Sequence, residues 1–328
     1  MLEQIAECWR REAAGETMPS TVERAQPSSC DQPSCSCNGD GEYDNPANLP
    51  GWEQKKYRKV DDPHTYMKHP QRGTLNHDLE DIYRRWDDII PEAELEIFKE
   101  MVIALAANPP CTDRDLTKRV LKFRKQYRMN PKKSQLLHAY RLLRSGGEVE
   151  EVPNLAKLLM KKSTKSSSGV IVITVVTSPY PVVDGKVQTF SCQWNCHYCP
   201  NEPGQPRSYL HDEPSVLRAN QNDFDAALQF TDRAAQLAQN GHPVDKIEVI
   251  VLGGTWASYP HAYQEDFCRD LFYAANTFYE RKKRGRATLA GEQAMNEGAQ
   301  CKIIGLTLET RPDTINAAEV RRLRRYGW

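Results

Sequence analysis

The chain is 328 residues long, enough for one large or two modest domains with a buried core. Its 44 lysines and arginines balance 44 aspartates and glutamates, so net charge by itself favours no class of partner. No apolar run reaches membrane-spanning length, and the start Met1-Leu-Glu-Gln-Ile-Ala-Glu-Cys8 is too acidic for an export signal. A soluble protein of the cytoplasm, or of the nucleus, without a membrane partner is expected. Ten cysteines in such a chain point to a reducing compartment and to metal rather than disulfides.

Residues 1–57 read as a disordered leader, because Ala14 to Tyr57 is rich in Ser, Pro, Gly, Asn and Asp and carries almost no apolar period. Within it, Cys30, Cys35 and Cys37 form a candidate metal site. With no histidine or fourth partner close by, exposed thiols are the favoured reading.

Residues 58–165 read as a small, basic, helical region. Leu95, Phe98, Met101, Val102 and Leu105 recur at helical spacing until Asn108-Pro109-Pro110. A second helix sets Leu116, Val120, Phe123 and Tyr127 on one face, and a third carries Leu136, Tyr140 and Leu143 before Ser145-Gly146-Gly147. From Asp113 to Lys165 about fifteen basic residues stand against about five acidic ones. Lys118, Arg119, Lys122, Arg124, Lys125, Arg128, Lys132 and Lys133 form one group, interleaved with Phe123, Tyr127 and Tyr140. Lys161, Lys162 and Lys165 form a second group. Alone, such a run reads as a solvated face; as an RNA surface it would give salt-sensitive phosphate contacts.

Residues 166–328 read as α/β. Val170–Val176 predicts a strand buried on both faces, Lys246–Leu252 a second, and Cys301–Leu308 a third. Helical patterns lie over Asp223–Asn240, over His261–Glu280, and from about Thr314 into Arg325. The alternation predicts a parallel sheet with right-handed crossovers and a site at the strands' carboxyl ends. Three such units make only part of a (β/α) barrel, so a fragment, or one part of a split enzyme, is expected. The insert Val182–Gln188 has no evident role.

The most informative stretch is Cys192-Gln-Trp-Asn-Cys196-His-Tyr198-Cys199-Pro200. Three thiolates on one short loop suit a [4Fe–4S] cubane with one iron left open, whereas electron-transfer clusters usually take four cysteines. An open iron can chelate S-adenosylmethionine, whose reductive cleavage releases a 5′-deoxyadenosyl radical. Tyr198 is placed to lie against the adenine. The alternative is a structural zinc knuckle with His197 or His211 as fourth ligand. Gly253, Gly254 and Thr255, ending the second strand, offer a backbone that a cofactor can approach closely. Glu309, ending the third, can accept from the cofactor's ribose or ammonium, or can pair with Arg311. Cys8, Cys111, Cys268 and Cys301 need no function; Cys268 and Cys301 read as small core hydrophobes.

Several stretches together resemble the catalytic subunit of Elongator. They are Lys161-Lys-Ser-Thr-Lys165, the cysteine loop, Pro200 to Pro206, Arg207-Ser-Tyr209, Glu213-Pro214, Arg218-Ala219, Asn240 to Lys246, Leu252-Gly-Gly-Thr255, and Gly305 with Glu309 to Asp313. The resemblance runs from about Asp113 to Trp328. It implies a partial radical S-adenosylmethionine barrel preceded by a tRNA-binding region, and formation of 5-carboxymethyluridine at the tRNA wobble position with acetyl-coenzyme A as acetyl donor. Cys192, Cys196 and Cys199 would be the cluster ligands, Gly253, Gly254 and Thr255 would lie on the cofactor, and Glu309 beside it. The basic segment would meet tRNA. The acetyltransferase domain of that family has no counterpart here, so no residue is assigned to acetyl-coenzyme A, and no catalytic residue is assigned. Other Elongator subunits, or a chain completing the barrel, are the implied protein partners. In eukaryotic members the first two cluster cysteines stand further apart than here. The rival readings are another radical enzyme acting on a small molecule, and a non-catalytic tRNA-binding scaffold with a structural metal.

Overall fold

The computed structural model describes residues 78–194, 196–281 and 284–327. The leader expected over 1–57, with Cys8, Cys30, Cys35 and Cys37, lies outside the described residues. Helix α1, Leu79–Asp87, begins where the Asp78 carboxylate accepts from the Asp81 N–H. Helices α2 (Leu95–Ala107), α3 (Asp113–Tyr127), α4 (Lys133–Ser145) and α5 (Leu155–Leu159) follow. Thr112 caps α3 through the Asp115 N–H, and Arg128, at φ 53°, turns the chain out of it. Phe98, Met101, Val102 and Leu105 of α2 pack with Leu116, Leu136, Tyr140 and Leu143 into one apolar cluster. The apolar period over these helices is therefore a true core pattern.

The second layer is built on strands β1 (Ile171–Val176), β4 (Lys246–Leu252) and β5 (Lys302–Leu308), all parallel and in the order β1-β4-β5. The short hairpin β2 (Val182–Val183) and β3 (Lys186–Val187) accounts for the insert Val182–Gln188. Helices α6 (Pro214–Gln221) and α7 (Ala226–Gln239) connect β1 to β4, and α8 (His261–Thr277) and α9 (Leu289–Gly298) connect β4 to β5. Helix α10, Ala317–Tyr326, closes the described chain. The pattern over Asp223–Asn240 thus resolves into α7 alone, with α6 ahead of it. Helix α10 starts at Ala317, three residues after Thr314 and just past the Asn316 cap, because Pro312–Thr314 forms a 3-10 turn first.

One face of the sheet is covered. Ile171, Ile173 and Val175 stand in register with Ile247, Val249 and Val251, and pack under α7 and α8 with Phe230, Leu271 and Ala274. The other face is not, which corrects the reading of Val170–Val176 as buried on both sides: Val172 is 46% exposed and Ile304 of β5 is 54% exposed. A continuous apolar run does not distinguish a covered face from an open one. Helix α1 joins this layer, since Ile82 enters its core.

Candidate functional site at the carboxyl ends of the strands

Each strand of the sheet runs into a turn that carries polar groups, and these turns are tied together. The Glu309 carbonyl, just past β5, accepts from the Trp256 N–H (3.0 Å), just past β4. Thr177, just past β1, donates its N–H to the Leu252 carbonyl (2.9 Å), and its hydroxyl donates to the Tyr259 hydroxyl (2.8 Å). The Tyr259 ring stacks on Phe190 at 4.3 Å between centroids.

The two glycines of the β4 turn are explained by this packing. A Cβ on Gly253, whose φ is +136°, would collide with the Thr177 hydroxyl, and one on Gly254 would enter the Phe190 ring. The close approach these glycines permit is therefore to neighbouring side chains of the same chain. Thr255 faces the cysteine loop, with its hydroxyl 3.6 Å from Cys192 Sγ.

Two further side chains anchor that loop. Arg311 donates to Cys196 Sγ (3.7 Å), lies 4.3 Å over the Trp194 ring and grips Asp313 at 3.0 and 2.9 Å. The alternative pairing of Glu309 with Arg311 is thereby corrected: Asp313, two residues on, takes the guanidinium, and the Glu309 carboxylate instead accepts from the Tyr209 hydroxyl (3.1 Å). Burial, and then the Glu309 charge, push the Tyr209 hydroxyl well above the ordinary tyrosine range, so it remains a donor. Cys199 Sγ lies 2.7 Å from the Ser208 hydroxyl. Tyr198, by contrast, is 98% exposed at the loop tip.

The donor set fits an iron–sulfur cubane: Cys192, Cys196 and Cys199 are free thiols on one loop, against the ends of β4 and β5. Their side chains are not gathered, and among the described residues no three His, Cys, Asp or Glu groups are placed to hold a metal ion. His211 Nδ1 is 2.6 Å from Glu202 Oε1, and His197 is exposed. A cavity of about 250 Å³ opens beside Cys192, lined by Tyr180, Phe190, Gln205 and Arg207 among others.

The basic residues divide by partner. Lys118, Lys122, Arg124, Lys125, Arg128 and Lys132 are exposed. Arg119 is engaged by Asp115 (3.0 Å) and Asn108, and Lys133 by Asp113 and the Leu158 carbonyl (2.9 Å), so both serve the helical core. Lys161, Lys162 and Lys165 are exposed around the turn Ser163–Ser166. Sequence reasoning missed Tyr209 and the Arg311 contacts. The only signal was Arg311 standing two residues after Glu309, where the chain has already left the strand. Among the described residues no helix is long and apolar enough to cross a membrane.

No family model matches the chain. It has homologues named tRNA uridine(34) acetyltransferase and Elongator complex protein 3. It is 35% identical over 168 residues to the tRNA uridine(34) acetyltransferase of Dehalococcoides mccartyi (strain CBDB1), covering 51% of this chain and 33% of that protein. It is 33% identical over 190 residues to Elongator complex protein 3 of Homo sapiens, covering 53% of this chain and 32% of that one. Among solved structures, the archaeal Methanocaldococcus infernus Elp3 with an N-terminal deletion (1–46) matches with a TM-score of 0.34 and 28% identity, over 48% of this chain and 27% of that chain. The chain spans about a third of the length of the curated relatives it matches.

Proposed function

We propose that this chain is the cofactor-binding part of a radical S-adenosylmethionine enzyme that modifies the wobble uridine of tRNA. The single observation that carries the reading is the docking of the Cys192–Cys199 loop, through Thr255 and Arg311, onto the ends of the two strands that also carry Gly253, Gly254 and Glu309. The names and identities of the homologues support tRNA uridine-34 as the target.

In this reading Cys192, Cys196 and Cys199 hold a [4Fe–4S] cluster. When bound, the cluster and S-adenosylmethionine supply a 5′-deoxyadenosyl radical for hydrogen abstraction. The chain's own residues do the rest of the local work. Arg311 holds the loop against β5 through its contact with Cys196 Sγ. Tyr209 orients the Glu309 carboxylate, whose second oxygen is left to accept from a cofactor ammonium or ribose. The turn at Gly253–Thr255 supplies backbone groups and one hydroxyl. Acetyl-coenzyme A is the proposed acetyl donor, giving carboxymethyluridine; no residue present here is assigned to it. Other Elongator subunits, or a chain that extends the sheet, are the proposed protein partners.

Anaerobic reconstitution tests the reading. About four irons per chain, with broad charge-transfer absorption, and 5′-deoxyadenosine on dithionite reduction with S-adenosylmethionine are expected. Stoichiometric zinc without iron would support the structural-metal scaffold instead. Radical cleavage without any tRNA binding would move the enzyme to a small-molecule substrate.

A further inference from the structure

A basic group on the flank of the sheet remains unexplained by the cofactor site. The turn from Lys161 to Ser166 is fixed before β1 by three bonds. The Lys161 N–H donates to the Asn240 carbonyl (3.0 Å), His242 Nε2 lies 3.0 Å from the Lys161 carbonyl, and His242 Nδ1 lies 3.0 Å from the Ser166 hydroxyl. A carbonyl only accepts, so Nε2 carries the proton and Nδ1 accepts from Ser166. His242 is 3% exposed and is a strut rather than a surface charge.

Helix α7 supplies the other wall. Arg233, Gln236 and Asn240 stand at i, i+3 and i+7, hence on one face. Arg233 donates to the Gln236 side chain (3.2 Å), and Asn240 receives the Lys161 N–H, so Arg233 shares the face that carries the turn. Among the described residues Lys161, Lys162 and Lys165 make no ion pair, and the side-chain partner of Arg233 is Gln236. The nearby carboxylate, Asp232, is taken by Arg85, Asn222 and Gln236.

These cations repel one another. Burial, then Arg233, Lys162 and Lys161, hold the Lys165 ammonium below the ordinary lysine range. Arg218 on α6 is pushed down to about 10 by burial and then by Arg233. Arg218 donates to the Thr174 carbonyl at 2.5 Å, midway along the edge strand β1. The positive groups thus begin at the amino end of β1 and climb its flank, part of the way along the roughly 20 Å that six extended residues span, toward the end where the cysteine loop sits.

We infer that Lys161, Lys162, Lys165 and Arg233 form a phosphate track that takes the RNA backbone along the flank of the sheet, with Arg218 held beneath it on the Thr174 carbonyl. Closely spaced cations without carboxylate partners are relieved by an anion with several oxygens and repeated charge, and the exposed hydroxyls of Ser163, Thr164 and Ser167 add donors. The inference rests on the tRNA reading and deepens it: one nucleotide at the carboxyl ends would have its neighbours' phosphates on this flank. It also separates these residues from Arg119 and Lys133, whose charges are already matched.

Fluorescence anisotropy of the full chain with unmodified tRNA, over a salt series, tests it. R233Q and K165Q are each expected to weaken binding several-fold and to lower the slope of log affinity against log salt by about 0.7–0.9. R233K restores the slope, and K302Q, on β5, keeps the parent value. Thermal melting checks the half-buried R233Q, while K165Q, exposed in the turn, carries the test if R233Q does not fold. Parent slopes in both R233Q and K165Q would overturn the track and leave the tRNA reading standing. Absence of parental tRNA binding at low salt would overturn both. Displacement of tRNA by polyglutamate as readily as by polyphosphate would overturn the assignment to phosphate.

Discussion

Gly253 and Gly254 show how much of a site can depend on what a residue lacks. The sequence marks them as a turn able to admit a ligand, and the structure fills the space with Thr177 and the Phe190 ring. Gly254→Ala is expected to force Phe190 off its stack with Tyr259 and to cost about 1–3 kcal/mol in denaturant unfolding. Gly253→Ala is expected to cost more, because its backbone conformation is strained for any side chain with a Cβ. Equal stability of both variants and the parent would refute this packing. Tyr209 presents the opposite case, a group whose presence was not legible. Its hydroxyl finds Glu309 a hundred positions away along the chain. Tyr209→Phe, combined with Glu309→Gln in a double-mutant cycle, is expected to show a coupling energy of about 0.5–1.5 kcal/mol; strict additivity would mean the bond contributes nothing.

At the level of elements, β1 is an edge strand whose outer side is closed by side chains rather than by another strand. Gln229 accepts from the Val176 N–H and donates to its carbonyl, both at 2.9 Å, as a neighbouring peptide would. Gln229→Leu keeps the bulk and strands both backbone groups, so a loss of about 1–3 kcal/mol is expected in thermal or urea unfolding. Helix α9 is held in a comparable way through Glu292, which is fully buried. Burial alone would raise its carboxyl. Arg284 at 2.7 Å on each oxygen, the Ala287 N–H and Asn276 outweigh that and hold it below the usual carboxylate range. A carboxyl lowered by folding contributes stability above its unfolded pKa of about 4.3, and the contribution is lost as pH falls through the lower folded value. Glu292→Gln is therefore expected to cost about 3 kcal/mol near neutral pH and to flatten the acid limb of the stability curve. An unchanged acid limb in that variant would remove Glu292 from the account.

Over the whole molecule, α1 precedes the helical layer in the chain but is fastened to the α/β layer. Trp86 stacks on Phe278 at 5.1 Å, the Tyr83 hydroxyl donates to the Phe278 carbonyl (3.1 Å), and Arg281 grips Asp87 while lying 4.8 Å over Trp86. Burial raises the Tyr83 hydroxyl to about 12, which keeps it a donor across the physiological range. Trp86→Ala is expected to cost about 2–3 kcal/mol and to speed amide exchange in α1 while the sheet keeps its protection. Equal acceleration in β1, β4 and β5 would show that α1 and the sheet open as one unit instead.

The apolar periods over α2, α3 and α4, and the runs at β1, β4 and β5, were decided by the sequence, because period and run length are properties of neighbours along the chain. The cysteine spacing proposes a chemistry in the same way, through residue type and position along the chain, and reconstitution is what tests it. Other features depended on residues far apart in the chain. That β1 has an open face, that Arg311 meets Cys196 rather than Glu309, and that Arg233 joins the lysine turn follow from how the layers pack. Charge and contact act through space, so only the tertiary structure could show that Arg119 and Lys133 meet carboxylates while, among the described residues, Lys161, Lys162 and Lys165 make no ion pair.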